Sequence, residues 1–552
     1  MPLLTPSDTY DAVYGGFAWD IPDRVNMGVQ VSDRHAARTP DAPALIVAAA
    51  DTTARTYSFS DISRLSNSLA NVFTAQGLKR GDRVGILLSQ SVEAAIAHIA
   101  AWKMGAISIP LFKLFGEDAL SFRLADSGAR MLVTEQDQLA KIEPIRDDLG
   151  DLACILVVDR DGPDGGGMID FWRTMEAAGD TFSPVNTGRE DPSFICYTSG
   201  TTGNPKGALH AHRSLIGHMP AVEFFHSFLP QPGDLMWTPA DWAWIGGLMN
   251  TLMGALFHAV PVLAYRAAKY DPEEALRLMA EFQVRNTFMP PTALKVMREV
   301  EDPGRFDVNL RSVAVAGEPM GAELLDWGRE VLGVSLNEYY GQTECNLVLA
   351  NNEACMDAKA GSTGRPVPGH RVAIIDADGR DLPAGEEGQI AVRRPDPAML
   401  LHYWNQERET EEKFIGDWWP MGDQGRMDED GYFWFVGRDD DVITSAGYRI
   451  GPGEIEDCLT KHPKVSLAAA IGVPDPLRTE IIKVFIKPMP GVNGSPDLEE
   501  ELRVFVKTRL SPHEYPRLVQ FVDELPLTST GKIRRKDLRD AEQAAREAAE
   551  KA

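Results

Sequence analysis

From Pro43 onward the chain alternates short apolar runs with segments whose apolar residues recur every three or four positions. Residues 44–47 predict a strand, and 58–75 an amphipathic helix with Leu65, Leu69 and Phe73 at four-residue spacing. Strands at 83–88 and 107–110 flank a helix at 92–104, and 194–196 is another buried strand. Further along, a helix at 272–282 precedes strands at 285–289, 312–316 and 334–340. Repeated strand–helix–strand order predicts an α/β fold of parallel sheets covered by helices.

Beyond about Arg371 the texture changes. Short strands at 372–376, 389–393 and 432–436 are divided by Asp/Gly turns such as 376–379, which predicts a small antiparallel β region. Charged punctuation follows at Gly437, Arg438, Asp439, Asp440 and Asp441, of a kind that joins domains. The remainder mixes strands at 467–473 and 482–486 with a helix at 497–508 and an Ala/Glu-rich helical end from Asp537, a small α+β unit. The expected organisation is a large domain at 1–437, a hinge at 438–441 and a mobile C-terminal domain at 442–552.

A length of 552 residues fits more than one core, and 44% hydrophobic with 25% charged residues is the composition of a globular protein. The formal net charge of −26 disfavours nucleic acid as a partner, so an anionic ligand needs a local exception to that field. Five scattered cysteines, with no Cys-x-x-Cys pair, point away from a disulfide framework or structural zinc and toward a reducing cytoplasm. The N-terminus lacks the pattern of a secretory signal, and no apolar run reaches the roughly 18 residues of a membrane span.

The local exception is at 197–207. Thr198, Ser199, Gly200, Thr201, Thr202, Gly203 and Lys206 follow the buried strand directly. Glycines permit tight turns and close ligand approach, while amides, hydroxyls and a lysine supply donors for phosphate. Pro205 before the lysine and Gly207 after it depart from the Gly-Lys-Ser/Thr phosphate loop. Two later strands end in glycine–carboxylate turns, Gly317-Glu318-Pro319 and Gly341-Gln342-Thr343-Glu344. In open α/β sheets ligands bind at such strand ends. His210, His212 and His218 have the spacing of a metal cluster but no evident carboxylate or cysteine partner, which favours structural roles.

The 197–207 loop, Tyr340-Gly-Gln-Thr-Glu344, Gly422-Asp423, Gly437-Arg438-Asp-Asp440, Gly447-Tyr-Arg449 and the run from Pro526 to Lys532 occur in one order. Together they resemble the adenylate-forming superfamily, and most closely its acetyl- and medium-chain acyl-CoA synthetases. The resemblance implies two steps. A carboxylic acid attacks the α-phosphate of ATP to give acyl-AMP and pyrophosphate, and CoA then displaces AMP. Two anions about 4 Å apart repel by about 4 kcal/mol at an effective dielectric near 20, so a bridging cation helps. By resemblance that cation is Lys532. Thr343 contacts the α-phosphate, Glu344 serves Mg²⁺, and Asp423 and Arg438 bind the ribose. Gly317, Glu318 and Pro319 line the adenine slot, Tyr340 stacks on the ring, and Gln342 adjoins the nucleotide. The 198–206 loop holds the pyrophosphate end, with Lys206 neutralising it.

The resemblance further implies rotation of the C-terminal unit about Asp440, which brings Arg449 to the phosphate and Gly447 to CoA. Trp244 and Gly341 belong to the acyl pocket. Acetate-specific relatives carry tryptophan where this chain has Gly341, so the pocket is expected to be apolar and open to a short- to medium-chain or aromatic acid. Lys532 lies in a setting similar to a regulated lysine, which makes a lysine acetyltransferase and deacetylase candidate partners; a homo-oligomer is a further candidate. Two other functions compete: an adenylation enzyme that loads a carrier protein, and a nucleotide-binding regulator without turnover.

Overall fold

The computed structural model describes residues 2–198, 205–267, 269–317, 320, 322–438, 443–526, 533 and 535–551. Its first long helix, Phe59–Ala75, starts where Ser58 and Asp61 form a reciprocal capping box, each side chain taking the other's backbone N–H. The expected apolar stripe of Leu65, Leu69 and Phe73 is the face that it buries.

Two large sheets organise the N-terminal part. One has nine strands in the order Arg365–Pro366, Leu349–Ala350, Leu336–Tyr340, Ser312–Val315, Asn286–Met289, Met236–Trp237, Val262–Tyr265, Pro43–Ala48 and Ala54–Ser58. Pairing is parallel from Leu336–Tyr340 across to Pro43–Ala48 and antiparallel at both edges. The other has eight strands, with Lys206–Ala211 and Pro192–Thr198 beside Ile107–Pro110 and Arg83–Leu87, and His402–Tyr403 antiparallel on Lys206–Ala211. The expected parallel α/β architecture is present, with short antiparallel additions at its edges.

A four-stranded sheet of Val372–Ile375, Glu387–Arg393, Trp418–Met427 and Phe433–Arg438 forms the β region anticipated after Arg371. Its third strand escaped the sequence pattern because Pro420, Gly422 and Gly425 interrupt it. Two buried helical segments escaped as well. Ser214–Phe225 and the π-helical Gly246–Met253 are buried at every position, so neither has a polar face to create a period.

The chain forms two compact units: Met1–Lys113, Leu124–Cys196 and Gly207–Gly437 in one, and Leu114–Arg123, Tyr197–Lys206 and Arg438–Ala552 in the other. In the second, Tyr448–Ile450, Ile443–Ser445, Thr479–Pro488 and Val465–Asp475 make a sheet in that order, with Leu518–Phe521 parallel to Thr479–Pro488. Leu498, Leu502 and Val506 of the Ser495-capped helix Pro496–Arg509 are buried at four-residue spacing. All five cysteines are buried, and none takes part in a disulfide. Among the described residues no helix is long and apolar enough to cross a membrane.

Candidate active site

The turn after strand Leu336–Tyr340 is held by side chains from three distant parts of the chain. Tyr340 Oη donates to Asp423 Oδ2 at 2.6 Å, and Gln342 Nε2 donates to the same oxygen at 2.6 Å and to the Met421 carbonyl. Asp423 is 2% exposed, so two donors converge on a nearly buried carboxylate. Hydrogen bonds to an ionised acceptor are worth about 1.5–3 kcal/mol, roughly twice a neutral pair. The two expected nucleotide ligands, Tyr340 and Asp423, are therefore one assembly, with Gln342 as its third member.

Thr343 and Glu344 are fixed from the opposite sheet. His210, on the strand that begins at Lys206, meets the Thr343 carbonyl with Nε2 at 2.8 Å. A carbonyl can only accept, so Nε2 carries the proton. Burial drives the His210 pKa down to about 3, which keeps the ring neutral, and the ring lies parallel to Phe194 with centroids 4.6 Å apart. Tyr403 Oη donates to Glu344 Oε1 at 2.7 Å, and Leu400 N donates to the Glu344 carbonyl at 2.7 Å. Lys413 Nζ backs Tyr403 Oη at 3.2 Å. The segment leading to Leu400 is anchored by Arg213, which donates to the carbonyls of Pro397 and Met399 at 2.6 and 2.9 Å.

Gly341 has a packing role that the sequence did not disclose. A Cβ added there would stand 2.3 Å from Leu347 N and 3.0 Å from Asn346 Cα. The turn folds so closely on itself that a tryptophan at 341 requires a reshaped backbone. Trp244, partly exposed, packs against Phe288 with centroids 5.5 Å apart. Gly317 ends its strand at φ +101°, a conformation that favours glycine. Gly447, at φ +79°, closes the turn between Ile443–Ser445 and Tyr448–Ile450. Thr198 Oγ1 donates to the Lys206 carbonyl at 3.4 Å, which ties together the two ends of the glycine-rich loop.

Ser199, Gly200, Thr201, Thr202, Gly203, Glu318, Pro319, Asp440 and Lys532 lie outside the described residues, as do the side chains of Arg438 and Arg449. The three histidines turn to separate partners: His212 Nδ1 accepts from Met27 N at 3.2 Å, and His218 Nδ1 donates to the Ser214 carbonyl. Among the described residues no group of three or more His, Cys, Asp or Glu side chains is gathered for a metal. Glu344 offers a single carboxylate, which fits Mg²⁺ shared with substrate phosphates, since that ion usually takes one or two carboxylates and completes its shell with phosphate and water.

A turn anchored on a buried carboxylate at the end of a parallel strand is where enzymes of the open α/β class bind their ligands. The chain belongs to the AMP-binding enzyme family, whose model matches residues 32–404, with the family's C-terminal domain at 454–532. It is 35% identical over 488 residues to an acetyl-coenzyme A synthetase of Bacillus subtilis, covering 88% of this chain and 84% of that one. To a mitochondrial acyl-coenzyme A synthetase of Homo sapiens it is 36% identical over 496 residues, again 88% and 84% of the two chains. An acyl-CoA synthetase crystal structure from Brucella canis superposes with a TM-score of 0.73 at 32% identity, covering 98% of this chain and all of that one.

Proposed function

We infer that this protein is an ATP-dependent acyl-CoA synthetase. It joins a carboxylic acid to AMP with release of pyrophosphate, then passes the acyl group to the thiol of CoA and releases AMP. The observation that carries this reading is the turn from Tyr340 to Glu344, held by Asp423 on one side and by His210 and Tyr403 on the other. Such rigidity suits a site that must hold an α-phosphate in line with an attacking carboxylate, because positioning supplies much of the barrier reduction in phosphoryl and adenylyl transfer.

In this reading Asp423 and Arg438 take the ribose hydroxyls and Tyr340 stacks on adenine, in a slot completed by Gly317, Glu318 and Pro319. Thr343 donates to the α-phosphate, and the loop with Thr198 and Lys206 holds the phosphates that leave. Glu344, its carboxylate oriented by Tyr403, is the protein's ligand to Mg²⁺, which when bound neutralises phosphate charge. Lys532 bridges the acid and the α-phosphate, Arg449 and Gly447 serve the second step, and Asp440 is the hinge. The acid is of short or medium length, a reading in keeping with one relative being named an acetyl-coenzyme A synthetase, and the buried cysteines, outside any disulfide, suit a reducing cytoplasm.

Pyrophosphate release on mixing the protein with ATP, Mg²⁺ and a panel of carboxylic acids tests the first step, and thioester formation on adding CoA tests the second. Release without use of CoA would favour a carrier-loading enzyme, and no release with any acid would favour a regulator. Lys532→Ala is expected to lose on the order of 10³ in adenylation, if the roughly 4 kcal/mol of charge repulsion is its share. Thioester formation from supplied acyl-AMP is expected to be largely spared, and equal loss in both steps would remove Lys532 from its assigned role.

A further inference from the structure

We propose that Tyr339 sets the depth of the acyl site and restricts this enzyme to compact carboxylic acids. The inference rests on the acyl-CoA synthetase reading and narrows it. Side chains of strand Leu336–Tyr340 alternate between two faces. Tyr340 turns to Asp423, the side assigned to the nucleotide. Asn337 and Tyr339 turn the other way, where Asn337 Nδ2 donates to the Phe225 carbonyl at 2.7 Å. An acid whose carboxylate reaches the α-phosphate beside Thr343 approaches from the side away from the nucleotide. Its acyl part then extends over the Tyr339 face.

That face is filled by aromatic rings. Tyr339 stacks on Phe225 with centroids 4.7 Å apart and an interplanar angle of 17°, and it meets Phe288 at 5.6 Å. Phe288 in turn meets Trp244 at 5.5 Å, so the row runs from partly exposed Trp244 to fully buried Phe225. The row has little room to slide, since a Cβ added at Gly246 would stand 2.9 Å from Phe288 Cε1.

Tyr339 is also pinned by polar groups. Asn250 Nδ2 donates to its hydroxyl at 3.1 Å, and Asn346 Nδ2 donates to Asn250 Oδ1 at 2.8 Å. Asn250 belongs to the π-helical segment Gly246–Met253, and Asn346 follows Glu344 by two residues. π-Helical turns are rare and concentrate at functional sites. Here the turn holds a carboxamide against the Tyr339 hydroxyl, where it fixes one tyrosine rotamer. A long acyl chain would have to displace a stacked, hydrogen-bonded ring, whereas a few carbons beside Trp244 would not.

The test compares kcat/KM for straight-chain acids from acetate to decanoate, read as pyrophosphate release, in the wild type, Tyr339→Ala and Tyr339→Phe. The wild type is expected to favour the short acids. Tyr339→Ala is expected to raise the octanoate-to-butyrate ratio about tenfold or more, since even one methylene in a pocket discriminates by that order. Tyr339→Phe keeps the ring and is expected to stay on the wild-type side of that ratio. An unaltered chain-length profile in folded Tyr339→Ala, with KM for ATP also unaltered, would overturn the proposal. So would a wild type that prefers octanoate. Should Tyr339→Ala fail to fold, Tyr339→Leu, which keeps apolar volume but shortens the wall, decides on the same ratio. A wild type inert toward every acid would overturn the reaction itself, and this inference with it.

Discussion

Two tyrosines adjacent in sequence enter regions of opposite chemistry. Tyr340 spends its hydroxyl on a buried carboxylate that also binds Gln342, so its face of the strand is polar and charged. Tyr339 lies between Phe225 and Phe288, and its hydroxyl meets only a neutral carboxamide among the contacts described. A single strand thereby separates a surface suited to a charged nucleotide from one suited to an apolar acyl group. In the proposed mechanism the bond to be made, between carboxylate and α-phosphate, falls at the strand's end, where both faces meet. An enzyme built this way needs no separate scaffold for its two substrates.

The separation can be broken on the nucleotide side first. Asp423→Asn keeps the shape but removes the charge on which Tyr340 and Gln342 converge. Kinetics are expected to show about a 100-fold loss in kcat/KM for ATP, equivalent to about 2.7 kcal/mol, while the chain-length profile for acids stays as in the wild type. A shifted acid profile in this variant would show that the two faces are coupled.

A smaller loss is expected where the turn is positioned from outside. His210→Phe preserves the stack on Phe194 but deprives the Thr343 carbonyl of its donor. A stranded carbonyl costs about 1–2 kcal/mol, so kcat for adenylation is expected to fall about tenfold. His210→Gln, which restores an N–H donor, should recover most of that loss. Equal defects in both variants, accompanied by equal losses in Tm, would reduce His210 to a packing role.

How much of this arrangement was legible beforehand follows the range of the interactions. The helix Phe59–Ala75 carries its apolar period within its own length, and that period was visible. The turn from Gly341 to Glu344 was visible as composition at a strand end. His210 and Tyr403 were not, because they act on partners 133 and 59 positions away and neither residue type marks such a role. Ser214–Phe225 and Gly246–Met253, buried all round, erased the period by which a helix is recognised. The opposite orientations of Tyr339 and Tyr340 follow from alternation alone, yet which face held the carboxylate depended on Asp423, 83 positions from Tyr340.

Glu338 gives the finest test of the polar face, because it shares that face with Tyr340 two residues on. It is 4% exposed, and burial raises its carboxyl pKa from 4.5 to about 8, against a smaller opposing effect of a hydrogen bond from the Met320 backbone. Its Oε2 has no hydrogen-bond partner among the described residues. The native state therefore keeps a proton that the unfolded chain releases near pH 4.5. Its contribution to stability is fully present below that pH and is lost as pH rises toward about 8, by up to about 1.4 kcal/mol per pH unit. Glu338→Gln, neutral throughout, should flatten that slope. Thermal unfolding at pH 5 and pH 8 is expected to show a smaller fall in Tm for Glu338→Gln than for the wild type, with acid preference untouched. Parallel Tm profiles would mean that Glu338 is ionised in the fold, and that the polar face holds two carboxylates rather than one carboxylate and one neutral acid.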